Sequence, residues 1–175
     1  FRRVLFRSHC HKDLDMIGSV TAEVMERAKV PVFTVPENTH FQNFENVKHV
    51  ACSTNFDEAD VDIYKNLMNL LEKTKTQDLT VHFIHFDSDE DVWSDVKLRG
   101  MKDLFSEKYP SLRFESHLLG GADILTAYDE FIRIYKVDVI SMITHRRSLL
   151  TRMFNPSMAR KIVFHTNTPM LVFHS

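Results

Sequence analysis

"GSVTAEVMERAKVPVFTVP", residues 18–36, reads as a helix cap, a short amphipathic helix and a β-strand closed by proline. Val20, Val24 and Ala28 recur at helical spacing, and Val30–Val35 is a run rich in β-branched residues. A lone helix and strand cannot cover each other, so the pair must complete a larger layer. The close of the chain, "PSMARKIVFHTNTPMLVFH" (156–174), aligns with this stretch without a gap. Ser19 falls on Ser157, Val24 on Ile162 and Pro31 on Pro169. A repeat spaced by the length of one small α/β domain predicts a tandem, with 18–36 as the tail of its first member.

Between the two copies the pattern is regular. "VKHVACS" (47–53), "LTVHFIHF" (79–86), "LRFESHLL" (112–119), "DVISMIT" (138–144) and "PMLVFH" (169–174) read as strands. Helices are predicted over 57–74, 90–109, 122–137 and 157–165. The first of these places Val61, Tyr64, Leu67, Met68 and Leu71 on one face. The third turns Ile124, Leu125, Tyr128, Phe131, Ile132 and Tyr135 inward, after a turn at Gly120-Gly121. Residues 37–47 are polar, with Phe41 and Phe44 scattered between, and read as a linker; 145–156 reads as a loop. Alternating strands and helices predict right-handed βαβ units and a doubly wound five-stranded parallel sheet of order 3-2-1-4-5. Ligands in such a sheet sit where the order reverses, here at Ser53–Asp57 and Thr144–Arg147.

Composition narrows the function. An apolar fraction of 43% with 26% charged residues is that of an ordinary globular protein, and a net charge of −2 gives no footprint for nucleic acid. Cys10 and Cys52 supply neither a disulfide framework nor zinc-ligand spacing, which fits a reducing cytoplasm. No apolar stretch is long enough to cross a membrane. "FRRVLFRS" (1–8) lacks a signal-peptide core, and one of its back-translations resembles the end of a common short-read sequencing adapter. The expectation is therefore that 1–8 is no evolved sequence and that the gene was cut at its start.

The repeat, its helix–strand tail and the α/β alternation resemble the universal stress protein family, in its tandem form. The resemblance divides the chain into 9–36, the remnant of a first domain, the linker 37–47, and a complete second domain at 48–175. It implies the Rossmann-like sheet above, with the final strands of the two domains paired antiparallel across a pseudo-two-fold axis. Val30–Val35 is then an extra edge strand against Met170–His174, the helix from Ser19 to Ala28 covers part of the same surface, and its exposed flank favours self-association. Many members bind ATP through a loop of the form G-x2-G-x9-G-[ST]. In "MITHRRSLLTRMFNPS" those glycine positions carry Ile143, Arg146 and Pro156, and only Ser157 remains. Each replacement adds a side chain where backbone must approach phosphate, and Pro156 removes a donor. One lost charge-assisted hydrogen bond, roughly 1.5–3 kcal/mol, weakens binding about tenfold or more. ATP-binding members usually carry an aspartate after threonine near the end of strand 1, where this chain has Thr54-Asn55.

The second domain therefore reads as a degenerate nucleotide site, with Asn55, Arg146, Arg147 and Ser157 as its remnants. Gly18 and Ser19 are the remnant of a first-repeat phosphate loop, so no cofactor is expected here and ATP belongs to an intact first domain. His145-Arg146-Arg147 could hold an anion, although a solvated basic loop accounts for it as well. Asp87–Asp91 reads as a helix cap rather than a phosphorylation site, since the partner lysine and central-strand aspartate are missing. His9, Cys10 and His11 match no zinc pattern. His82 and His85 fall on opposite sheet faces and read as packed residues. Ser19 and Ser157 have no base placed beside them, and capping suffices. The expectation is a non-catalytic regulatory protein acting through dimerisation or partner binding. A nucleotide-binding or nucleotide-hydrolysing enzyme of related fold stays open as the alternative.

Overall fold

The computed structural model describes residues 24, 28–36, 39, 41–74, 76, 78–89, 91–144 and 167–175. In chain order they form β1 (Val32–Thr34), β2 (His49–Ser53), α1 (Glu58–Lys73), β3 (Thr80–Phe86), α2 (Val92–Lys108), β4 (Arg113–Leu119), α3 (Ile124–Tyr135), β5 (Val139–Thr144) and β6 (Met170–His174). The sheet order is β1-β6-β5-β2-β3-β4. Strands β2 to β6 are mutually parallel in the expected doubly wound order, and β1 adds an antiparallel edge. The predicted helix 157–165 and loop 145–156 lie outside the described residues.

Strand alternation sorts the side chains onto two faces. Val50, Cys52, Phe83 and Ile143 join Tyr64, Leu67, Met68 and Leu71 of α1 and Leu98, Met101 and Phe105 of α2 in one core. Ala51, Ile84, Ile140, Met142 and Val172 join Ile124, Tyr128 and Phe131 of α3 in the other. Full burial of one such side chain contributes roughly 1.5–3 kcal/mol. On α1 the stripe differs from expectation at its first turn, where Asp60 is buried and Val61 lies only partly inside. On α3 Leu125, Ile132 and Tyr135 pack at the core's margin. Gly121 carries a φ of +115°, a conformation side chains resist, and so starts the turn from β4 into α3.

The edge strand is shorter than the 30–35 run. Only Val32, Phe33 and Thr34 pair, with Val172, Leu171 and Met170 respectively. Of the helix expected at 19–28, the described Val24 and Ala28 pack against the α3-side core, and the Ala28 amide donates to the Val24 carbonyl at 3.0 Å. The linker is less loose than its polarity suggests. Phe41 and Phe44 close an aromatic trio with Phe33, with ring centroids 5.1 and 5.2 Å from it.

The acidic run meets the start of α2 through Asp87 rather than through the residue at the cap. Asp91 occupies the cap but makes no side-chain cap bond. Asp87 instead accepts from Ser94 Oγ at 2.8 Å and from the amides of Asp89 and Asp91 at 3.0 and 3.2 Å. These bonds hold its carboxyl below the usual carboxylate range, the Ser94 hydroxyl foremost.

Candidate functional site

Two polar assemblies stand out against this frame. The first lies at the carboxyl end of β2, beside β5, where the sheet order reverses. Thr54 continues the ladder by donating its amide to the Ile84 carbonyl at 3.0 Å. Asp60 reaches back from α1 and accepts from Thr54 Oγ1 at 2.7 Å and from the Asn55 amide at 3.1 Å. Thr54 Oγ1 in turn accepts from the Phe56 amide at 2.9 Å. The chain can then turn through Phe56 at a φ of +63°, and that ring lies 4.4 Å from the His85 ring. His85 Nδ1 contacts the Thr54 carbonyl at 2.7 Å. Asn55 Nδ2 is buried and makes no hydrogen bond.

Beneath this turn, Tyr64 of α1 donates to the Ser53 carbonyl and Tyr128 of α3 meets Ser53 Oγ, one phenol from each side of the sheet. Burial raises both phenols and the Cys52 thiol, so all three stay protonated. Ser53 Oγ meets a protonated phenol and the Cys52 thiol is buried and protonated, so neither is activated as a nucleophile. On the neighbouring strand, Thr144 Oγ1 donates to the Phe173 carbonyl at 3.1 Å and contacts His174 Nδ1 at 2.7 Å. Of the residues singled out in the sequence, Asn55 is placed at this end. Ile143 is a buried β5 residue of the α1–α2 core. Gly18, Ser19, Arg146, Arg147, Pro156 and Ser157, together with His9, Cys10, His11 and His145, lie outside the described residues.

The second assembly is on the α3 face, nearer the starts of the strands. In register, Ala51, His82 and Glu115 lie side by side across β2, β3 and β4. His49 and His117 flank that row diagonally. His49 Nδ1 stands 3.0 Å from His82 Nε2, and His82 Nδ1 stands 3.1 Å from His117 Nε2. Glu115 Oε2 is 3.3 Å from His82 Nδ1 and 3.2 Å from His117 Nε2. Phe131 and Tyr135 of α3 roof the two imidazoles, with the Tyr135 ring 4.5 Å from His117 and 5.2 Å from His82. At the far end, the Asp138 carboxylate accepts from the amides of Lys48 and His49 at 2.8 and 2.9 Å, which fixes the start of β2.

Burial pushes His82 down to about 4; His117 and His49 add to the shift and Glu115 opposes it. His117 is lowered by burial too, again against Glu115. Both imidazoles are therefore neutral at pH 7. His82 and His85 do point to opposite faces and His82 is packed, as expected. Its neighbours, however, are two further histidines and a carboxylate. These come from three strands, so no local spacing announces them. Their local signal is faint: polar residues alternate along 113–119, as they do in any edge strand, and β4 is an edge of the sheet.

No protein-family model and no curated protein matches the sequence. Solved structures do match in fold. A universal stress protein from Archaeoglobus fulgidus DSM 4304 superposes with a TM-score of 0.67 at 18% identity, covering 89% of this chain and 53% of its own. A structure described as a putative universal stress protein from Pseudomonas aeruginosa UCBPP-PA14 gives 0.61 at 14% identity, covering 97% and 62%. A universal stress protein crystallised in complex with cAMP gives 0.53 at 13% identity, covering 73% and 97%. The chain thus spans about half the length of the Archaeoglobus protein. Strand order, the antiparallel edge and these superpositions agree: the chain has the fold of the universal stress proteins.

Proposed function

We propose that the chain is a universal stress protein, a non-catalytic regulatory module that works by sheet-edge association and whose 48–175 repeat has a degenerate nucleotide site. The register of β1 on β6 carries this reading. In the internal alignment Phe33 falls on Leu171, and those two residues are partners. Val32 falls on Met170 and Thr34 on Val172, and here the partners are exchanged, Val32 with Val172 and Thr34 with Met170. Equivalent strands that pair in this way are related by a local two-fold axis, as in an isologous contact. The coincidence supports 9–36 as the tail of a first repeat, 37–47 as linker, and a pseudo-dimer through the last strands. It also favours self-association of this chain through the outer edge of β1, which light scattering across a concentration series tests.

The degenerate-site reading is supported by Asn55 at the strand end, by Phe56 folded over His85, and by the sequence at Arg146 and Pro156. Gly18 and Ser19, with Arg146, Arg147 and Ser157, are its proposed loop remnants. Calorimetric titration of the whole chain with ATP should give no saturable heat; micromolar binding overturns the reading. The alternative, a nucleotide-binding or nucleotide-hydrolysing enzyme, draws on one observation. Asn55 Nδ2 is an unbonded buried donor at the end of the sheet where ligands bind in this architecture. The same titration with cAMP, and release of phosphate from ATP, would reveal it.

A further inference from the structure

Three ligand-type atoms converge on the α3 side of the sheet, and no tautomer makes all three of their contacts hydrogen bonds. His82 Nδ1, His117 Nε2 and Glu115 Oε2 form a triangle with sides of 3.1, 3.2 and 3.3 Å. Each ring nitrogen is either a donor or an acceptor in the ring plane, and the ionised carboxylate only accepts. If both nitrogens donate to Glu115, they oppose each other as donors. If one donates to the other, the accepting nitrogen has no proton left for Glu115. At most two of the three contacts can be hydrogen bonds in any tautomer.

A cation satisfies all three at once. Zinc bound about 2.0–2.1 Å from nitrogen and oxygen ligands separates tetrahedral ligand atoms by about 3.3 Å. The observed triangle has that size. We propose that His82, Glu115 and His117 form a zinc site, with His49 as the outer hydrogen-bond partner that fixes the His82 tautomer. Two imidazoles and one carboxylate are a borderline donor set, suited to zinc rather than to magnesium or calcium. With its Nδ1 lone pair on the metal, His82 carries the proton on Nε2 and donates it to His49 Nδ1, 3.0 Å away. Asp138 holds the His49 backbone in place for that contact. Phe131 and Tyr135 keep one side dry, while the Glu115 side chain is 49% exposed and gives the ion a path in and a fourth position for water.

The inference is independent of the nucleotide reading, because the site lies on the α3 face and uses none of the residues proposed there. The whole chain, stripped with chelator and titrated with zinc chloride by calorimetry, should take up one equivalent at a site that raises its melting temperature. Glu115→Gln and His117→Asn should each weaken that equivalent by at least about tenfold, and His49→Ala by roughly ten- to a hundredfold. Glu115 is half-exposed, so E115Q tests the site without opening the core; its far-ultraviolet dichroism should match the parent. Cobalt in place of zinc should give the intense visible bands of a tetrahedral ion, lost in E115Q. Absence of saturable zinc binding overturns the proposal. So does parental affinity in either E115Q or H117N, which would place the ion on other ligands.

Discussion

At the scale of single residues, Asp60 is the side chain on which the end of β2 depends. Its carboxylate is 1% exposed and accepts from both Thr54 Oγ1 and the Asn55 amide. Asp60→Ala strands one buried and one part-buried donor, and urea unfolding should show a loss of roughly 2–4 kcal/mol. Asp87 offers a test by pH. Its carboxyl is lower in the folded chain than in the unfolded one, so the ion stabilises the fold above the ordinary carboxylate range. That contribution disappears as pH falls through the folded value, below about pH 4. Asp87→Asn should therefore be less stable at neutral pH, and its melting temperature should fall less steeply in acid. The sequence placed the acidic run 87–91 at the start of α2 but not which member makes the contact, and it showed nothing of the role of Asp60. Asp60 breaks an apolar stripe, and the carboxylate that meets the first turn of α2 comes from seven residues ahead of Ser94 rather than from the residue at the helix start.

At the scale of elements, the sequence indicated the strands and helices well because their apolar spacing is strict. The strands 79–86 and 138–144 and the stripe on α3 needed only periodicity. The packing of the two aromatics in 37–47 was hidden for a physical reason. Phe41 and Phe44 follow no helical or strand period, and their partner Phe33 precedes the linker on β1. Phe33→Ala should cost roughly 2 kcal/mol, measured by thermal or urea unfolding, through lost area and two aromatic contacts. The histidine cluster was hidden in the same way. Parallel pairing brings His49, His82, Glu115 and His117 together, and no single strand contains more than two of them.

At the scale of the whole molecule, topology followed from the alternation of elements, and the position of β1 followed from its likeness to β6. That join has a kinetic consequence. Thr34 and Met170 are 136 residues apart in the chain, so β1 can dock only after one of the longest loop closures in the protein. The parallel sheet to which it docks must already exist, since β6 is its only strand partner among the described residues. β1 should accordingly be unformed in the rate-limiting step. In stopped-flow experiments Val32→Ala, at a site 5% exposed, should leave the refolding limb unchanged and accelerate unfolding roughly tenfold. The edge that completes the sheet would then be the last piece to arrive, and the first through which the molecule opens.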